Sequence, residues 1–385
     1  MKNKPSSTPA EETNWTSRLL NRTFFYLNIV MLPPALLVAI APYIMPDTWW
    51  IPTLFSLHAP YWLLIPAFWT LVWLMFSLKK ALFNFAFLII NYPAFTHTIQ
   101  FNGAMDLTER DFKVMSYNIK VFDNRVSNID TCIKVIKPQQ PDILCVQEFW
   151  NPKLKSKATK SKEDTTNTEI SYSDVKSRFK KELNLPYAVF FPSKVFGSFG
   201  LAIFSRFPIV KGKQLVYSEI NTTNGLIFAD IRLFGDTIRV YNAHLESYNF
   251  HEQHIDFWSE NSNKPYSFRS FWTVVKVMLE AWRKQHSQIE AYEKDRQQCH
   301  YPVMVCGDLN ATPYHPHYRA VRSDLQDAFE ERGFGLGKTY GNSLINKHRI
   351  DYILASNKLI IADFKTPSIQ YSDHLPAIAT VRLKK

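Results

Sequence analysis

The stretch Pro302-Val303-Met304-Val305-Cys306-Gly307-Asp308-Leu309-Asn310 joins a five-residue apolar run to a polar turn. A short apolar run rich in β-branched residues predicts a buried strand. The glycine allows the backbone to turn, and Asp308 and Asn310 are two residues apart, so both side chains can face one cleft. An Asx-type turn without chemical function has a similar composition. The stretch therefore indicates a functional strand end only together with other motifs.

Five further polar motifs lie at the ends of apolar runs in the last two-thirds of the chain. In chain order they are Ser116-Tyr117-Asn118, Gln147-Glu148, Asn242-Ala243-His244, Arg349-Ile350-Asp351-Tyr352 and Ser372-Asp373-His374. Together the six motifs supply carboxylates, amides and imidazoles. Hard divalent cations prefer oxygen ligands, and phosphate esters are stabilised by cations and hydrogen-bond donors, so this mixture favours a site for both.

After Asp111 the chain alternates apolar runs of strand length with helical stretches. The clearest predicted strands are Lys113–Tyr117, Asp142–Val146, Leu201–Phe204, Ile238–Asn242, Pro302–Cys306, Ile350–Ala355 and Ala377–Val381. Helices are predicted over Val126–Ile136 and Tyr266–Tyr292, and the second has apolar residues at three- and four-residue spacing. Strands that alternate with helices predict a layered α/β or α+β domain.

Net charge is distributed unevenly along the chain. The whole chain carries +11, and residues 1–109 hold six basic and five acidic residues, which leaves +10 for residues 110–385. A basic balance favours an anionic partner, whether nucleic acid, an anionic lipid surface or a phosphorylated small molecule, although an ordinary basic surface gives the same count. The four cysteines show no CxxC or Cys/His zinc spacing, which argues against a zinc module and a disulfide framework.

The first hundred residues differ in composition, because three long stretches contain no charged residue. A membrane-spanning helix needs about 20 apolar residues. We therefore predict a cytoplasmic tail at residues 1–22 and a transmembrane segment at residues 23–105. Its helices are expected at 23–46, 54–78 and 81–101. A buried helix pair or a cleaved signal peptide is the alternative, and Ala39-Ile40-Ala41 resembles a cleavage site. The apolar runs that continue beyond it favour retained helices.

Basic residues near the predicted helix ends set the orientation. Four of them, Lys2, Lys4, Arg18 and Arg22, precede the first helix, and Lys79-Lys80 lies between the second and third. Both groups are expected in the cytoplasm. Three spans then place residues 110–385 on the periplasmic side of a bacterial inner membrane. The third helix is the weakest, because polar residues and a proline interrupt it; if it lies in the membrane interface, the same domain is cytoplasmic.

Phosphoester hydrolysis requires neutralised phosphate charge, an activated water and a stabilised leaving oxygen. Glu148 is the candidate metal ligand, although a solvated acidic residue at a strand end is the alternative. Asn118 can help to hold the metal or contact the phosphate, but it also suits a turn. Asp308 can align and deprotonate the water, and Asn310 can orient Asp308 or the phosphate.

Two histidines are candidates for contact with the phosphate. A histidine needs a carboxylate partner to fix its tautomer and keep it protonated, and for His374 either Asp351 or Asp373 can serve. The charged imidazole would then bind a phosphate oxygen. His244 is the second candidate, although a single histidine at a strand end is more often structural.

In this order the motifs resemble the endonuclease/exonuclease/phosphatase superfamily, which includes apurinic endonucleases, DNase I, neutral sphingomyelinases and inositol polyphosphate 5-phosphatases. The resemblance covers about Asp111 to Leu383. Its specific elements are Gln147-Glu148, Gly307-Asp308-Leu309-Asn310, Ser372-Asp373-His374-Leu375-Pro376 and Ser205-Arg206-Phe207-Pro208-Ile209. It implies a four-layer α/β (α+β) sandwich, in which two packed mixed β-sheets are flanked by helices, and a requirement for Mg²⁺ or Mn²⁺.

The resemblance also implies roles for single residues. Glu148 is the implied metal ligand, with Asn118 beside it. Asp308 activates water, with support from Asn310.

The remaining implied roles concern the phosphate and the leaving group. His374 contacts the phosphate and is paired with Asp351, Asp373 lies near the metal or the leaving group, and His244 contacts the phosphate. One departure argues against base-excision activity: the region Phe190–Phe199 contains no tyrosine, whereas apurinic endonucleases carry a catalytic tyrosine there.

The combined prediction is a membrane-anchored, metal-dependent phosphoesterase whose partners are a phosphate-ester substrate and the lipid bilayer. A nuclease-like activity on phosphodiester bonds is the first choice, because a basic domain suits a polyanion. The alternatives are a phospholipid or small-molecule phosphodiesterase or phosphatase and, less favoured, a non-catalytic binding module. The sequence indicates no obligate protein partner. The segment Lys153–Thr168 is predicted to be a mobile loop, and the insertion Ser247–His300 is the expected source of selectivity.

Overall fold

The computed structural model describes most of the chain. The described residues are 9–120, 128–151, 175–193, 199–217, 224–248, 268–341, 348–369 and 371–384. The predicted loop Lys153–Thr168 lies outside them.

The first β-sheet has six strands in the order β10-β12-β9-β8-β7-β6. These strands are β6 (Ile209–Tyr217), β7 (Gly225–Leu233), β8 (Asp236–His244), β9 (Val303–Asp308), β10 (Gln326–Asp327) and β12 (Asp351–Ala355). Strands β8 and β9 are parallel, and the other neighbours are antiparallel. The sheet is therefore mixed.

The second sheet also has six strands, in the order β13-β14-β2-β3-β5-β4. Its members are β2 (Phe112–Asn118), β3 (Ile143–Trp150), β4 (Tyr187–Pro192), β5 (Phe199–Ser205), β13 (Leu359–Lys365) and β14 (Ala377–Leu383). The pair β2–β3 is parallel and the others are antiparallel. The two parallel pairs carry four of the six polar motifs at their carboxyl ends.

The central core lies between the two sheets. Val114 and Cys145 from one sheet pack with Val240 and Cys306 from the other, and all four are fully buried. Strands that are covered on both faces have no polar alternation, which is why their sequences are continuous apolar runs.

Helices cover the outer face of each sheet. Helices α7 (Ile129–Ile136) and α8 (Val175–Glu182) cover the second sheet, whereas α9 (Phe268–Gln297) and α10 (Pro316–Arg322) cover the first. A short helix, α11 (Ala328–Arg332), follows β10. The predicted sandwich of two mixed sheets flanked by helices is confirmed.

The N-terminal segment forms six α-helices in the described residues. They are α1 (Pro9–Met31), α2 (Pro33–Ile40), α3 (Trp50–Ser56), α4 (Ala59–Leu74), α5 (Leu78–Ile90) and α6 (Tyr92–Thr98). In the described residues, Asn21–Tyr43 is the one helical stretch long and apolar enough to cross a membrane, and α3 with α4 qualifies only as a pair bent by 80°.

The third predicted span differs most from expectation. Helix α5 has 13 residues and ends at Ile90, and Asn91 separates it from α6. Because Pro93 cannot donate a backbone hydrogen bond within a helix, the helix restarts there instead of continuing. Length and composition thus favour one span, or two if the bent pair is a single span.

Polar side chains hold the N-terminal helices together. Trp73 Nε1 donates to Asn28 Oδ1 at 2.9 Å, and the amides of Asn28 and Asn84 exchange hydrogen bonds of 2.9 and 2.8 Å. Both asparagines are fully buried. Hydrogen bonds between helices are a usual source of association in apolar surroundings.

This segment continues into the sandwich without a gap. Residues Gln100–Phe101 form a short strand, β1, that pairs with β11 (Phe334–Gly335). Tyr314 Oη donates to the backbone oxygen of Ala94 at 3.3 Å. The helices are therefore packed against the domain that carries the motifs.

Candidate active site

Strand register brings five predicted residues to one edge of the sandwich. Parallel pairing of β8 with β9 sets His244 opposite Asp308, and antiparallel pairing of β9 with β12 sets Asp351 on its other side. In the second sheet, parallel pairing sets Asn118 opposite Gln147, next to Glu148. Neighbouring strand ends lie about 5 Å apart, so residues remote in sequence become neighbours.

Asp308 is at the centre of the cluster. Its Oδ2 accepts a hydrogen bond from Asn118 Nδ2 at 3.2 Å and lies 3.7 Å from Nε2 of both His244 and His374. Its Oδ1 accepts from the backbone N–H of Asn310 at 2.8 Å. The side chain is almost completely buried. A carboxylate with donors on every side is held in one orientation.

Gly307 is required by the close approach of β9 to β8. Its φ is +144°, and a Cβ built at this position would lie 1.9 Å from the backbone oxygen of Ala243. No L-residue fits that space without moving a strand. The glycine of the motif thus allows Asp308 to lie beside His244.

The backbone is strained at three places around the cleft. Lys120, Glu148 and Asn310 have φ values of 47°, 54° and 47°, although none is a glycine. Glu148 lies in a β-bulge, where the register between β3 and β5 shifts between Val146 and Phe149. Such strain concentrates at functional sites, and bulges re-aim side chains. Here the bulge coincides with the Glu148 side chain that lines the cleft.

His374 is paired with Asp351, not with Asp373. Its Nδ1 lies 2.9 Å from Asp351 Oδ2, whereas Asp373 Oδ2 lies 3.2 Å from Lys120 Nζ. The structure therefore distinguishes between the two carboxylates that reasoning from residue types left open.

Burial and charge give the two histidines opposite properties. Burial alone would lower the pKa of His374, but the negative charges of Asp351 and Asp308 outweigh it and raise the pKa to about 10. For His244, burial and the positive charge of His374 lower the pKa to about 3. His374 is therefore cationic at neutral pH and His244 is neutral.

The carboxyl of Asp308 titrates far from its usual range. Burial, with the charge of Asp351 acting in the same direction, raises its pKa to about 7. A carboxyl with this property can exchange a proton with a water molecule near neutral pH.

Glu148 faces the same cleft from β3. Its side chain is 25% exposed, and Oε1 accepts a hydrogen bond of 3.2 Å from Asn118 Nδ2 and lies 4.0 Å from His244 Nε2. Burial raises its pKa, and the nearby charge of Asp373 adds to that effect. A divalent cation bound by Glu148 would relieve this repulsion from the Asp373 carboxylate.

Asn118 contributes its amide nitrogen to this cluster. Its Oδ1 accepts from the backbone N–H of Lys120 at 3.0 Å, so the NH₂ group faces Glu148 and Asp308. Ligation of a metal by the amide oxygen would require the amide to turn over.

A second set of possible ligands, among the described residues, is Asp308, Asp351 and His374, whose ligand atoms lie within 4.8 Å of one another. Metal ligation needs a neutral imidazole nitrogen. His374 Nδ1 is engaged with Asp351, and the raised pKa of His374 favours the proton on the ring. This set therefore suits acid–base chemistry better than metal ligation, and Glu148 is the better candidate for the metal ligand.

Two motif residues turn out to connect the sheets. Gln147 Nε2 donates to Asn242 Oδ1 at 2.7 Å, and Asn242 Nδ2 donates to the backbone oxygens of Val146 and Ala202 at 2.9 Å. Both side chains are fully buried. Their polarity serves the interface between the sheets instead of the reacting groups.

Three lining residues were not anticipated. The cleft has a volume of 320 Å³ and is lined partly by Lys120, Ser247 and Tyr340. The Tyr340 ring centroid lies 4.7 Å from that of His374, and the two residues form a β-bridge. This pairing depends on tertiary structure, so no local signal in the sequence could have indicated it.

Residues 115–374 match the profile of the Endonuclease/Exonuclease/phosphatase family. The chain belongs to this family. Members of the superfamily include nucleases and phosphatases and are typically metal-dependent phosphoesterases. A second profile, described as a Domain of unknown function (DUF8431), matches residues 21–98.

Solved structures resemble this chain at low sequence identity. The endonuclease/exonuclease/phosphatase from Beutenbergia cavernae is 18% identical, with a TM-score of 0.50, over 71% of this chain and 72% of that one. The Bacteroides vulgatus protein is 14% identical, with a TM-score of 0.48, over 71% and 99%. The human Nocturnin catalytic domain is 20% identical, with a TM-score of 0.44, over 74% and 97%. Comparison with curated proteins gives no match.

Proposed function

We propose that this protein is a membrane-anchored, divalent-metal-dependent phosphoesterase that hydrolyses phosphodiester bonds. The observation that carries the proposal is the environment of Asp308. Its Oδ2 lies within 3.7 Å of two imidazoles and within 3.2 Å of an amide donor, at the base of an open cleft. A carboxylate held in this way suits the activation of a water molecule.

The first step assigned to the chain is activation of water. Asp308 accepts the proton of the attacking water. The Asn310 backbone N–H and the Asn118 amide hold the two carboxylate oxygens, so the carboxylate does not have to reorient during the reaction.

The two histidines bind the phosphate. Cationic His374, held by Asp351, donates from Nε2 to a non-bridging phosphate oxygen. His244 is neutral and donates a second hydrogen bond. Donors that are fixed before the reaction stabilise the charge that develops in the transition state.

Glu148 would hold Mg²⁺ or Mn²⁺, with Asn118 beside it. The ion would neutralise phosphate charge and polarise the phosphorus–oxygen bond. Asp373, paired with Lys120, lies on the same cleft and is assigned to the metal or leaving-group side.

Membrane anchoring is proposed through Asn21–Tyr43, the candidate span. With the basic tail 1–22 in the cytoplasm, a single span would place the domain at 110–385 in the periplasm, whereas a second span through α3 and α4 would place it in the cytoplasm. Alkaline phosphatase and green fluorescent protein fusions at the carboxyl terminus test this, because the first is active only in the periplasm. An active fluorescent fusion with an inactive phosphatase fusion would reverse the assignment.

The net charge of +10 for residues 110–385 favours nucleic acid as the substrate, whereas the membrane segment favours a lipid. A non-catalytic module is the least favoured reading, because every predicted catalytic group lies around one cleft.

Full-length protein in detergent tests the chemistry, with bis(p-nitrophenyl) phosphate as substrate and Mg²⁺ or Mn²⁺ present. Asp308→Asn should lower kcat by about 10²–10⁴-fold, the usual contribution of a general base. Asp236→Asn is the matched control, because Asp236 is exposed at the other end of β8. Equal activity of wild type and Asp308→Asn, or inactivity of wild type toward a broad panel of phosphate esters, would remove the proposal.

A further inference from the structure

The N-terminal helices pack against the segment that follows Asp308 and Asn310 in the chain. Thr312 Oγ1 donates to the backbone oxygen of Ser56, at the end of α3, at 3.3 Å. Trp50 packs in the apolar cluster that includes Tyr248, and Tyr248 Oη donates to the backbone oxygen of Asn310 at 3.3 Å. Helix α3 therefore lies directly behind the loop that carries Asp308 and Asn310.

A row of rings leads from the cleft to helix α4. Tyr340 packs on His374 with 4.7 Å between ring centroids, and its backbone pairs with His348 through hydrogen bonds of 2.9 and 3.0 Å. The His348 ring lies 5.7 Å from His58, which lies 6.3 Å from Tyr61. The row connects the site to the first turn of α4.

An exposed apolar stripe begins where this row ends. Tyr61 is 41% exposed, and Leu64, Phe68, Leu71 and Met75 follow at three- and four-residue spacing with exposures between 59% and 79%. A stripe of large apolar side chains on one helix face marks a surface that avoids water. Tyrosine is typical of the boundary between the apolar interior of a bilayer and its head groups. The stripe therefore fits acyl chains, with Tyr61 at the level of the head groups.

The charge of the cleft argues against a polymer. Among the described residues that line it, Lys120 is the one lysine or arginine, and it is paired with Asp373. Proteins that follow a nucleic-acid backbone need a groove of cations that extends over several phosphates. Two histidines and one metal suffice for a single phosphate.

We infer that the substrate is a phospholipid whose phosphodiester enters the cleft from the bilayer side. Its phosphate reaches Asp308 and His374 while its acyl chains remain along the α4 stripe. The oxygen of water forms a new bond to phosphorus, the bond from phosphorus to one ester alcohol breaks, and that alcohol leaves with a proton. This inference rests on the proposed phosphoesterase function and narrows its substrate class.

Three substrate classes are compared with the full-length protein and Mg²⁺ or Mn²⁺. They are mixed phosphatidylethanolamine and phosphatidylglycerol vesicles, nucleic acids (single- and double-stranded DNA, and RNA), and bis(p-nitrophenyl) phosphate. Product release is followed by ³¹P NMR and by gel. Lipid phosphodiesters should be hydrolysed at least about tenfold faster than nucleic acid linkages, a usual scale for substrate discrimination. Asp308→Asn should lower the rate of every reaction by about 10²–10⁴-fold.

A pair of variants at Tyr61 tests the route of entry. Tyr61→Ser should lower the ratio of vesicle rate to bis(p-nitrophenyl) phosphate rate by about fivefold, since it removes the ring at the head-group level. Tyr61→Phe keeps the ring and should retain the ratio.

Each unfavourable result has a separate meaning. Hydrolysis of bis(p-nitrophenyl) phosphate without hydrolysis of lipid overturns this inference and leaves the proposed function intact. Faster cleavage of nucleic acid than of vesicles, or an unchanged ratio in Tyr61→Ser, also overturns it. Inactivity on all three classes removes both proposals.

Discussion

Replacement of Arg349 by methionine tests how the N-terminal helices are held against the sandwich. Arg349 is 5% exposed, and its Nη1 donates to Asp327 Oδ2 at 2.5 Å. Its Nη2 donates to the backbone oxygen of His97 in α6 at 3.1 Å and lies 3.5 Å from Glu330 Oε1. The guanidinium also lies 4.7 Å from the ring centroid of Phe329. One side chain thus joins helix α6 to the turn that contains β10 and α11.

The expected loss of folding stability follows from the charges that remain in Arg349→Met. Methionine fills most of the volume and keeps the apolar contacts, but it leaves the Asp327 carboxylate, which is almost fully buried, without its cation. Breaking a buried ion pair by removing one partner costs about 3–5 kcal/mol. For a chain of 385 residues that corresponds to a fall in Tm of about 4–6 °C.

The measurement is thermal unfolding of the full-length protein in detergent, followed by intrinsic fluorescence. Arg232→Met is the matched control, because Arg232 is exposed on β7 and should change stability by no more than about 0.5 kcal/mol. The double variant Arg349→Met with Asp327→Asn should recover part of the loss, because the unpaired charge has been removed. Hydrogen exchange at residues 92–101 should become faster in Arg349→Met, since the carbonyl of His97 loses its donor.

Two outcomes would refute this reasoning. If Arg349→Met and Arg232→Met unfold at the same temperature, the buried ion pair contributes no net stability. If the double variant is less stable than Arg349→Met, the loss comes from packing and not from an unpaired carboxylate.

Three further predictions concern other parts of the molecule. Gly307→Ala should destabilise by at least about 3 kcal/mol, because the added Cβ would lie 1.9 Å from a backbone oxygen of β8; Gly235→Ala, at φ +92° with open space around it, should cost only about 1 kcal/mol, and equal costs in chemical denaturation would contradict the steric explanation. Glu148→Gln should weaken the apparent affinity for Mg²⁺ about 10–100-fold, read from activity against metal concentration, and an unchanged curve would remove Glu148 as a ligand. Burial opposes the charge on Glu330, but its hydrogen bond with His97 and the nearby cations lower its pKa to about 2. Because the pKa of Glu330 is lower in the folded state, its ionised form stabilises the fold above the unfolded pKa of about 4.5, and this stabilisation is lost as pH falls toward 2. Glu330→Gln should flatten the fall of Tm across that pH range, and parallel Tm profiles for wild type and variant would contradict this prediction.

The strand ends could be predicted from sequence because burial on both faces gives a strand a continuous apolar run. The run 302–306 predicted the strand that the structure has at Val303–Asp308. The glycine after it was expected to turn the backbone; in the structure Gly307 lies within β9 and allows the close approach to β8 that places Asp308 beside His244. In these cases the signal is local, since burial and backbone conformation each restrict the residue type at their own position.

The parts that escaped prediction depend on register or on distant contacts. The apolar run of β3 ends at Val146, but the strand continues through a bulge at Glu148 to Trp150; the polar pair Gln147-Glu148 indicated the end of the run and gave no sign that the strand continues. Residue types alone left Asp351 and Asp373 open as partners of His374; the family resemblance implied Asp351, and β12 lying next to β9 brings that carboxylate to the histidine. The contact with Tyr340 was not predicted and comes from an isolated bridge. Residue types restrict which groups can interact, whereas strand order decides which of them meet.

The N-terminal segment shows the same limit in a different form. Hydropathy measures how apolar a run is, and it predicted three spans, of which the third was the weakest. The structure has a break between α3 and α4, and this break is where the sandwich docks: Ser56 presents a carbonyl to Thr312, and His58 presents its ring to His348. The last carbonyls of a helix lack partners within the helix, so a helix that ends there gives the domain an acceptor that a continuous span would keep for itself. The break between α3 and α4 prevents a straight membrane span. It also provides the contacts that hold the cleft-bearing edge of the sandwich next to the exposed apolar face of α4.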